Sequence, residues 1–597
     1  MSICRLIVNQ DDPMLYFGCD TETYNDGDNL GLKSIQLVGR DSEYYFISSD
    51  YSKSDDFIRN EISYKFIRFL SECKDNVKVG FFNLTFDLSQ FLKFLITESG
   101  YSLIHEYKGR LKKGELSILE TDRKVFSVKM RSIFSGYMIE FIDISNFAVA
   151  STLNDVAKSW IGKQKIDIES KEFPKREPTE QEKLYAMQDA KLTYEIYVKF
   201  IEDSVIELKT YTIAGRTIKD FKNFIKKNYC TNFEKLMFNT DDPDEINEMK
   251  NMFEDELRSG VKGGICQAFH KGVFENITHI DARSMYPTQM NRDWIPYGGL
   301  LKEKPISKHT EILYPVGWYV LKKNRVPCVQ WTSKSNAFRY AYKTVYECGQ
   351  YVNDFYLDGS YPIWIEEYEI IKEQYDVYNE EIPKRWYIKL RENIILKQYI
   401  QMLYDGKKNN TGSKRLFYKY LLNALYGKFL TRPDGVTIDY VFENGQWERI
   451  KVVSEKSTYY LPLGMWIAMM GRVTLMRAIM SIDSKDFLYC DTDSIIFKGD
   501  KMPDVTIGKN LGDWSIEQKG IDVNIVGAKT YQEKIGDQII TKCGGLPRIV
   551  KDKLNWLELK DGMSIKCSKP RRDKNTWAIN IIDTEFTVST KASIFRR

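Results

Sequence analysis

The chain has 597 residues, enough for roughly four domains of ordinary size. Its 28% charged and 43% hydrophobic residues exclude wholesale disorder, and a formal net charge of +4 does not by itself point to nucleic acid. Ten scattered Cys without a CxxC pair, with only four His, exclude an obvious structural zinc site and read as reduced, buried thiols.

In chain order, the N-terminus lacks a signal-peptide apolar core, so a soluble intracellular chain is expected. Apolar runs at 15–23, 77–82 and 141–144 predict strands. A helix is predicted over 180–200, with Leu184, Met187, Leu192 and Ile196 on its apolar face. Residues 211–232 are basic and polar, 241–255 are acidic, and a domain boundary is expected at 200–212. Residues 293–393 alternate aromatic strands with turns, and 382–428 predict two helices around a polar loop at 405–412. Turn signals at 433–435 and 443–445 flank short strands. The most apolar stretch, 461–470, contains Pro462 and Gly464 and is too short to span a membrane. Local charge is more telling than net charge: residues 401–432 hold seven Lys or Arg against one acid, and 547–597 hold twelve against six.

The string Tyr489-Cys490-Asp491-Thr492-Asp493-Ser494 lies between two apolar strand-like runs, which puts its carboxylates at a hairpin tip. Carboxylates so close repel unless a cation separates them, and Mg2+ takes such oxygens while bridging to phosphates. Asp281, in Asp281-Ala282-Arg283-Ser284-Met285-Tyr286-Pro287, ends an apolar run that Pro287 closes. A bare acidic pair and an acid at a strand end each read equally as a polar turn. Together they offer the distant acids that a two-metal phosphoryl-transfer site requires. Arg415, Lys419, Asn423 and Tyr426 share one helix face. That face suits a triphosphate and a stacked base, or else plain solvent, and Gly427 beside it leaves room for a nucleic-acid backbone.

A second acidic set lies N-terminal to these. Asp20 and Glu22 alternate along a strand and face one side. Asp87 closes Asn83-Leu84-Thr85-Phe86-Asp87, and Tyr185 and Asp189 share a helix face. Singly these read as caps or surface acids. Jointly the four carboxylates could hold two metals that activate water.

The order DxxSxYP, KxxxNxxYG, YxDTDS resembles motifs A, B and C of family B DNA polymerases, and DxE, NxxxFD and YxxxD resemble the 3′–5′ exonuclease motifs that precede them. The resemblance implies an α/β and α+β multidomain chain, with a ribonuclease H-like exonuclease domain followed by a right-hand palm, fingers and thumb with two insertions. Its divisions would be exonuclease 1–208, palm 209–292 and 461–545, insertions 293–393 and 431–460, fingers 394–430 and thumb 546–597. Asp281, Asp493 and Asp491 would bind two Mg2+ (Mn2+ substituting), with another pair held by Asp20, Glu22, Asp87 and Asp189. Tyr185 would orient water, and Lys165, in Lys165-Ile166-Asp167, would assist. Ser284, Tyr286, Arg415, Lys419, Asn423 and Tyr426 would bind the dNTP, with Tyr286 excluding ribonucleotides. Thr23, Asn83, Phe86 and Ser145 would contact single-stranded DNA, and Gly427, Arg472, Lys529 and Tyr531 the primer-template.

The chain looks most like the protein-primed branch, from its short length, its two insertions, Lys529-Thr530-Tyr531 as a KxY motif, and Ala468 to Arg472 as a Tx2GR motif with Ala for Thr. That resemblance implies a monomer that replicates a linear genome with strand displacement, in the cytoplasm of an infected bacterial cell, away from membranes and primed by a terminal protein. The alternative is a family B polymerase using nucleic-acid primers or none. Departures are Ala424 for Ser, Phe82 for His, Asn146 for Leu, and Val261 for the Tyr of a YxGG motif.

Overall fold

The computed structural model describes residues 14–588 apart from 27–28, 105–109, 121–123, 149, 167–172, 207–209, 330–350, 444–445, 456–457 and 573–578. Asp167 and the Asn444-Gly445 turn lie outside the described residues.

An eight-stranded N-terminal sheet is centred on Met14–Asp26, which pairs antiparallel with Asn29–Val38 and parallel with Asn76–Phe81. Met138–Asp143 continues the parallel run beside Asn76–Phe81. This mixed order, three antiparallel strands leading into a parallel run, is ribonuclease H-like. The helix Glu180–Glu202 packs across the sheet. A capping box starts it: Thr179 accepts from the Glu182 N–H, and the Glu182 carboxylate accepts from the Thr179 N–H. Its buried face is Tyr185, Ala186, Asp189, Ala190, Thr193, Ile196, Tyr197 and Phe200, together with Leu192. Leu184 is 68% exposed, so the expected apolar face is corrected by rotation. The helix is turned so that small residues meet the strand. A Cβ on Gly18 would lie 2.2 Å from the Tyr194 nitrogen and 2.6 Å from the Ala190 carbonyl oxygen.

A seven-stranded sheet forms the middle of the chain, with Gly272–Ala282 between Trp514–Gly527 and Ser494–Lys498. The helix Leu461–Met480 packs with it. It is continuous, with Pro462 in the first turn, where a missing N–H is tolerated. It is therefore longer than expected. Among the described residues it is the one helix long and apolar enough to cross a membrane, and 78% of its most apolar window is buried in the protein.

The described residues between 293 and 393 form a five-stranded sheet, with the helix Ile365–Gln374 packed against it. The helices expected from 382 begin later: Tyr375–Glu392 is a strand, and the hairpin is Ile395–Lys408 and Gly412–Phe429. The polar run 405–408 completes the first helix instead of looping. Asp434–Glu443 and Gln446–Glu455 pair as a two-stranded ribbon, so Asp434-Gly435 opens a strand where a turn was expected. Ser564–Arg572 and Ile579–Thr587 form a second ribbon.

Gly18→Ala is expected to push the Glu180–Glu202 helix off its strand and destabilise the N-terminal domain by about 1–3 kcal/mol. Thermal unfolding checks this, and an unchanged first transition would show that the close approach is not what seats the helix.

Candidate active sites

Strand register builds the first site. Asp281 is paired with Ser494, and the Ala282 N–H donates to the Asp493 carbonyl at 2.7 Å. The Asp281 and Asp493 side chains therefore lie together at the ends of interior strands of the sheet. The tip between Asp491 and Asp493 turns at Thr492, whose φ of 60° is a strained left-handed conformation for a β-branched residue. Its N–H donates to the Ile265 carbonyl at 2.6 Å, and a Cβ on Gly264 would lie 2.7 Å from its side chain. The loop before Ile265 thus holds the tip in place.

Burial, then Asp493 and Glu517, push the Asp281 carboxyl up to about 7. Burial, then Asp491, push Asp493 up to about 6. Two half-buried acids that resist joint ionisation suit a hard divalent cation between them. Asp491 lies beside them at the same hairpin tip. Its oxygens accept from the Lys529 ammonium at 2.7 and 2.9 Å, so it is occupied by a cation of the protein's own.

These acids open on a cavity of about 810 Å3. Its opposite wall is the exposed face of Gly412–Phe429, carrying Arg415, Lys419, Asn423 and Tyr426. Phe417, Leu421, Leu422, Leu425 and Phe429 anchor the other face in the core. The Tyr286 and Tyr426 rings stack at 4.1 Å and 21° across the floor. Ser284 sits beneath with a φ of 59°, and its hydroxyl accepts from the Lys407 ammonium at 2.7 Å. Lys407 and Arg283 both line the cavity and were missed as site residues. Lys407 was concealed in a run read as loop, and Arg283 inside a motif string whose other members drew the attention.

The second site joins Asp20, Glu22 and Asp189, whose nearest oxygens all lie within 4.8 Å of one another. These fit a divalent cation, being hard oxygen donors brought together in a buried setting. Burial, then Asp189, push Asp20 up to about 7, and burial, then Asp20, also raise Glu22 well above the usual carboxylate range. Asp87 stands beside this trio but outside it. It accepts from the Thr21 hydroxyl at 2.7 Å, and burial with the nearby Asp20 charge raises it strongly. Lys165 pairs with Asp189 and lies 5.3 Å from the centre of the Tyr185 ring. Its segment is pinned by Asn154, which accepts from the Lys165 N–H at 3.0 Å, and by Gln188, which accepts from the Ile166 N–H at 2.6 Å. Neither amide stood out in the sequence, because each acts through backbone contacts.

Other expected contacts are distributed unevenly. Asn83 is exposed at a φ of 100°, Thr23 and Phe86 are half-buried near the trio, and Gly427 faces open space. Tyr531 lines the larger cavity. The placement of Arg472 is corrected, and two other residues make contacts within the protein. The Ser145 hydroxyl donates to Asp143 at 2.6 Å and accepts from Lys124, so it is engaged internally. Lys529 is directed to Asp491. Arg472 is 5% exposed, with its guanidinium forked onto Glu367 at 2.7 and 2.9 Å and bonded to the Lys262 and Gly263 carbonyls. It is a positioning residue that ties the Ile365–Gln374 helix to the loop holding Thr492.

Two outcomes follow from these electrostatics. An acid raised from 3.8 to about 7 on folding stabilises less as pH climbs from about 4 through 7, because the unfolded chain releases that proton first. In EDTA, Asp281→Asn is expected to unfold a few degrees above the parent at pH 8 and level with it below pH 4. Mg2+ is expected to narrow the gap at pH 8, as thermal scans will read. Arg472→Ala leaves Glu367 buried and unpaired and is expected to cost about 3–5 kcal/mol. A double-mutant cycle with Glu367→Ala measures the coupling, and additive effects would exclude it.

Residues 152–509 match the family described as DNA polymerase type B, organellar and viral. The DNA polymerase of Bacillus phage Nf is 26% identical over 416 residues, covering 64% of this chain and 68% of that protein. The DNA-directed DNA polymerase of Enterobacteria phage PRD1 is 26% identical over 311 residues, covering 48% of this chain and 52% of its own. In fold, the chain is similar to phi29 DNA polymerase complexed with primer-template DNA and incoming nucleotide substrates. The TM-score is 0.77 at 20% identity, covering 97% of this chain and 100% of that one. The overall fold is accordingly shared with that polymerase over nearly the whole chain. The chain belongs to the organellar and viral type B DNA polymerases and is a DNA-directed DNA polymerase.

Proposed function

We propose that this polymerase proofreads with its N-terminal site and replicates a linear genome by protein-primed, strand-displacing synthesis in the cytoplasm of an infected bacterial cell. The observation that carries the synthetic half is one cavity with Asp281 and Asp493 on one wall and Arg415, Lys419 and Lys407 on the other. Carboxylates on one side and cations on the other suit a metal-bound triphosphate lying between them.

Bound Mg2+ would activate the primer hydroxyl and stabilise the leaving pyrophosphate. Asp281 and Asp493 would hold it, their raised affinity for protons being exchanged for affinity for metal. Arg415, Lys419 and Lys407 would bind the triphosphate oxygens. Tyr286, stacked on Tyr426, would form the floor under the sugar, and Asn423 would face the nucleotide. In the second site Asp20, Glu22 and Asp189 would hold metal, with Asp87 beside them. Lys165 would hold the Asp189 carboxylate and the Tyr185 ring in place.

DNA as partner is supported by the phi29 structures with primer-template and with single-stranded DNA. Protein priming is supported by similarity to the phage relatives and by the two insertions, and a monomer is proposed on the same grounds. We also propose the domain division given above, supported by the separate sheets.

The test is extension of a primed single-stranded circle with Mg2+ and dNTPs and no helicase or clamp. The expected result is product many circle lengths long. Asp493→Asn is expected to lose synthesis by at least a hundredfold and keep digestion of single strands, and Asp20→Ala the reverse. Synthesis that halts after one circuit would remove strand displacement and favour a polymerase using nucleic-acid primers. Unchanged synthesis in Asp493→Asn would overturn the site assignment.

A further inference from the structure

We propose that Arg283 is a further triphosphate-binding residue, which presents a pre-positioned guanidinium to the terminal phosphates of the incoming nucleotide. This rests on the polymerase reading of the larger cavity.

Arg283 lines that cavity together with Lys407, Arg415 and Lys419. It follows Asp281 by two residues, just before the left-handed turn at Ser284. Both its backbone and its side chain are clamped to the 508–513 loop. Its N–H donates to the Asp513 carbonyl at 2.8 Å, and its carbonyl accepts from the Gly512 N–H at 3.3 Å. Its Nε donates to the Gly508 carbonyl at 2.7 Å. The same loop is fastened to the fingers, because the Tyr404 hydroxyl donates to the Lys509 carbonyl at 3.0 Å. Only one of the five guanidinium donors is thus satisfied among the described residues, and no carboxylate forms an ion pair with the group.

A guanidinium held at Nε leaves its two terminal nitrogens as a planar fork, the geometry that binds phosphate oxygens in pairs. The clamp has already removed much of the side chain's freedom, so little ordering is left for the binding step. The charge around it agrees. Burial, then Arg415, Lys419 and Arg283, pull the Lys407 ammonium down to about 8. Cations crowded without enough anion among them await a polyanion. The phosphates of a dNTP and free pyrophosphate offer the same chemistry, so both are useful probes.

Arg283→Gln removes the charge at similar length, and Arg283→Lys keeps the charge without the fork. The dNTP KM and the inhibition constant of pyrophosphate are measured with Mg2+ on a primed template. Pyrophosphate-induced thermal stabilisation of the whole chain is measured without turnover. For Arg283→Gln both constants are expected to rise roughly tenfold to a hundredfold, more than kcat falls, and the thermal shift to vanish. Arg283→Lys should lie between. Constants within twofold of the parent, or a lowered unfolding temperature with KM unmoved, would overturn the proposal and leave Arg283 as a clamp for the loop. If the parent incorporates no nucleotide, the polymerase reading fails first. The pyrophosphate shift then still decides for or against Arg283.

Discussion

Mutual repulsion among buried carboxylates is the constraint around which this protein is arranged. Asp281 and Asp493 are forced together by strand register, and Asp20, Glu22 and Asp189 by a helix packed against a strand. In both places burial is the larger cause of the raised proton affinity and the neighbouring acid the second. Lys165 at one site and Lys419 at the other offset only part of that strain. It persists because the surrounding sheets and helices are stable enough to impose it, as expected where a site is organised for a cation.

The supports of the two sites differ in kind. In the N-terminal domain the tolerance is set by a side chain that is absent, since only glycine at position 18 lets the helix backbone reach the strand. In the polymerase domain it is set by a tip in a left-handed turn, held by the Ile265 carbonyl and by the Arg472–Glu367 pair behind it. That pair links the Ile365–Gln374 helix to the Lys262-Gly263 loop through a guanidinium that makes four hydrogen bonds. Lys529 adds a third support by holding Asp491.

The cationic wall follows from helix geometry. Arg415, Lys419, Asn423 and Tyr426 align because their spacing matches the helical repeat, while the alternate face is buried. Its field is directed by what the helix packs beside. Lys407 comes from the preceding helix and Arg283 from just after the strand Gly272–Ala282, so the basic surround of the cavity is assembled from three places in the chain.

The sequence by itself determined the chemistry and most of the local structure. The acidic strings, the period-4 cations and the capping residues are short-range patterns, and each acts through spacing that a strand or helix converts directly into a shared face. It also determined the family, because the order of the strings is a property of the chain and not of its shape. Tertiary structure alone decided how the pieces are used. Leu184 turned outward because a close backbone approach at Gly18 set the helix rotation. Residues 382–392 became a strand because a sheet partner, His309–Leu321, was there to pair with them. Ser145 is held locally by the capping residue Asp143, but Arg472 and Lys529 were drawn into internal pairs because Glu367 and Asp491 lie within reach only after folding. Such contacts join residues tens to hundreds of positions apart, and no local pattern encodes them.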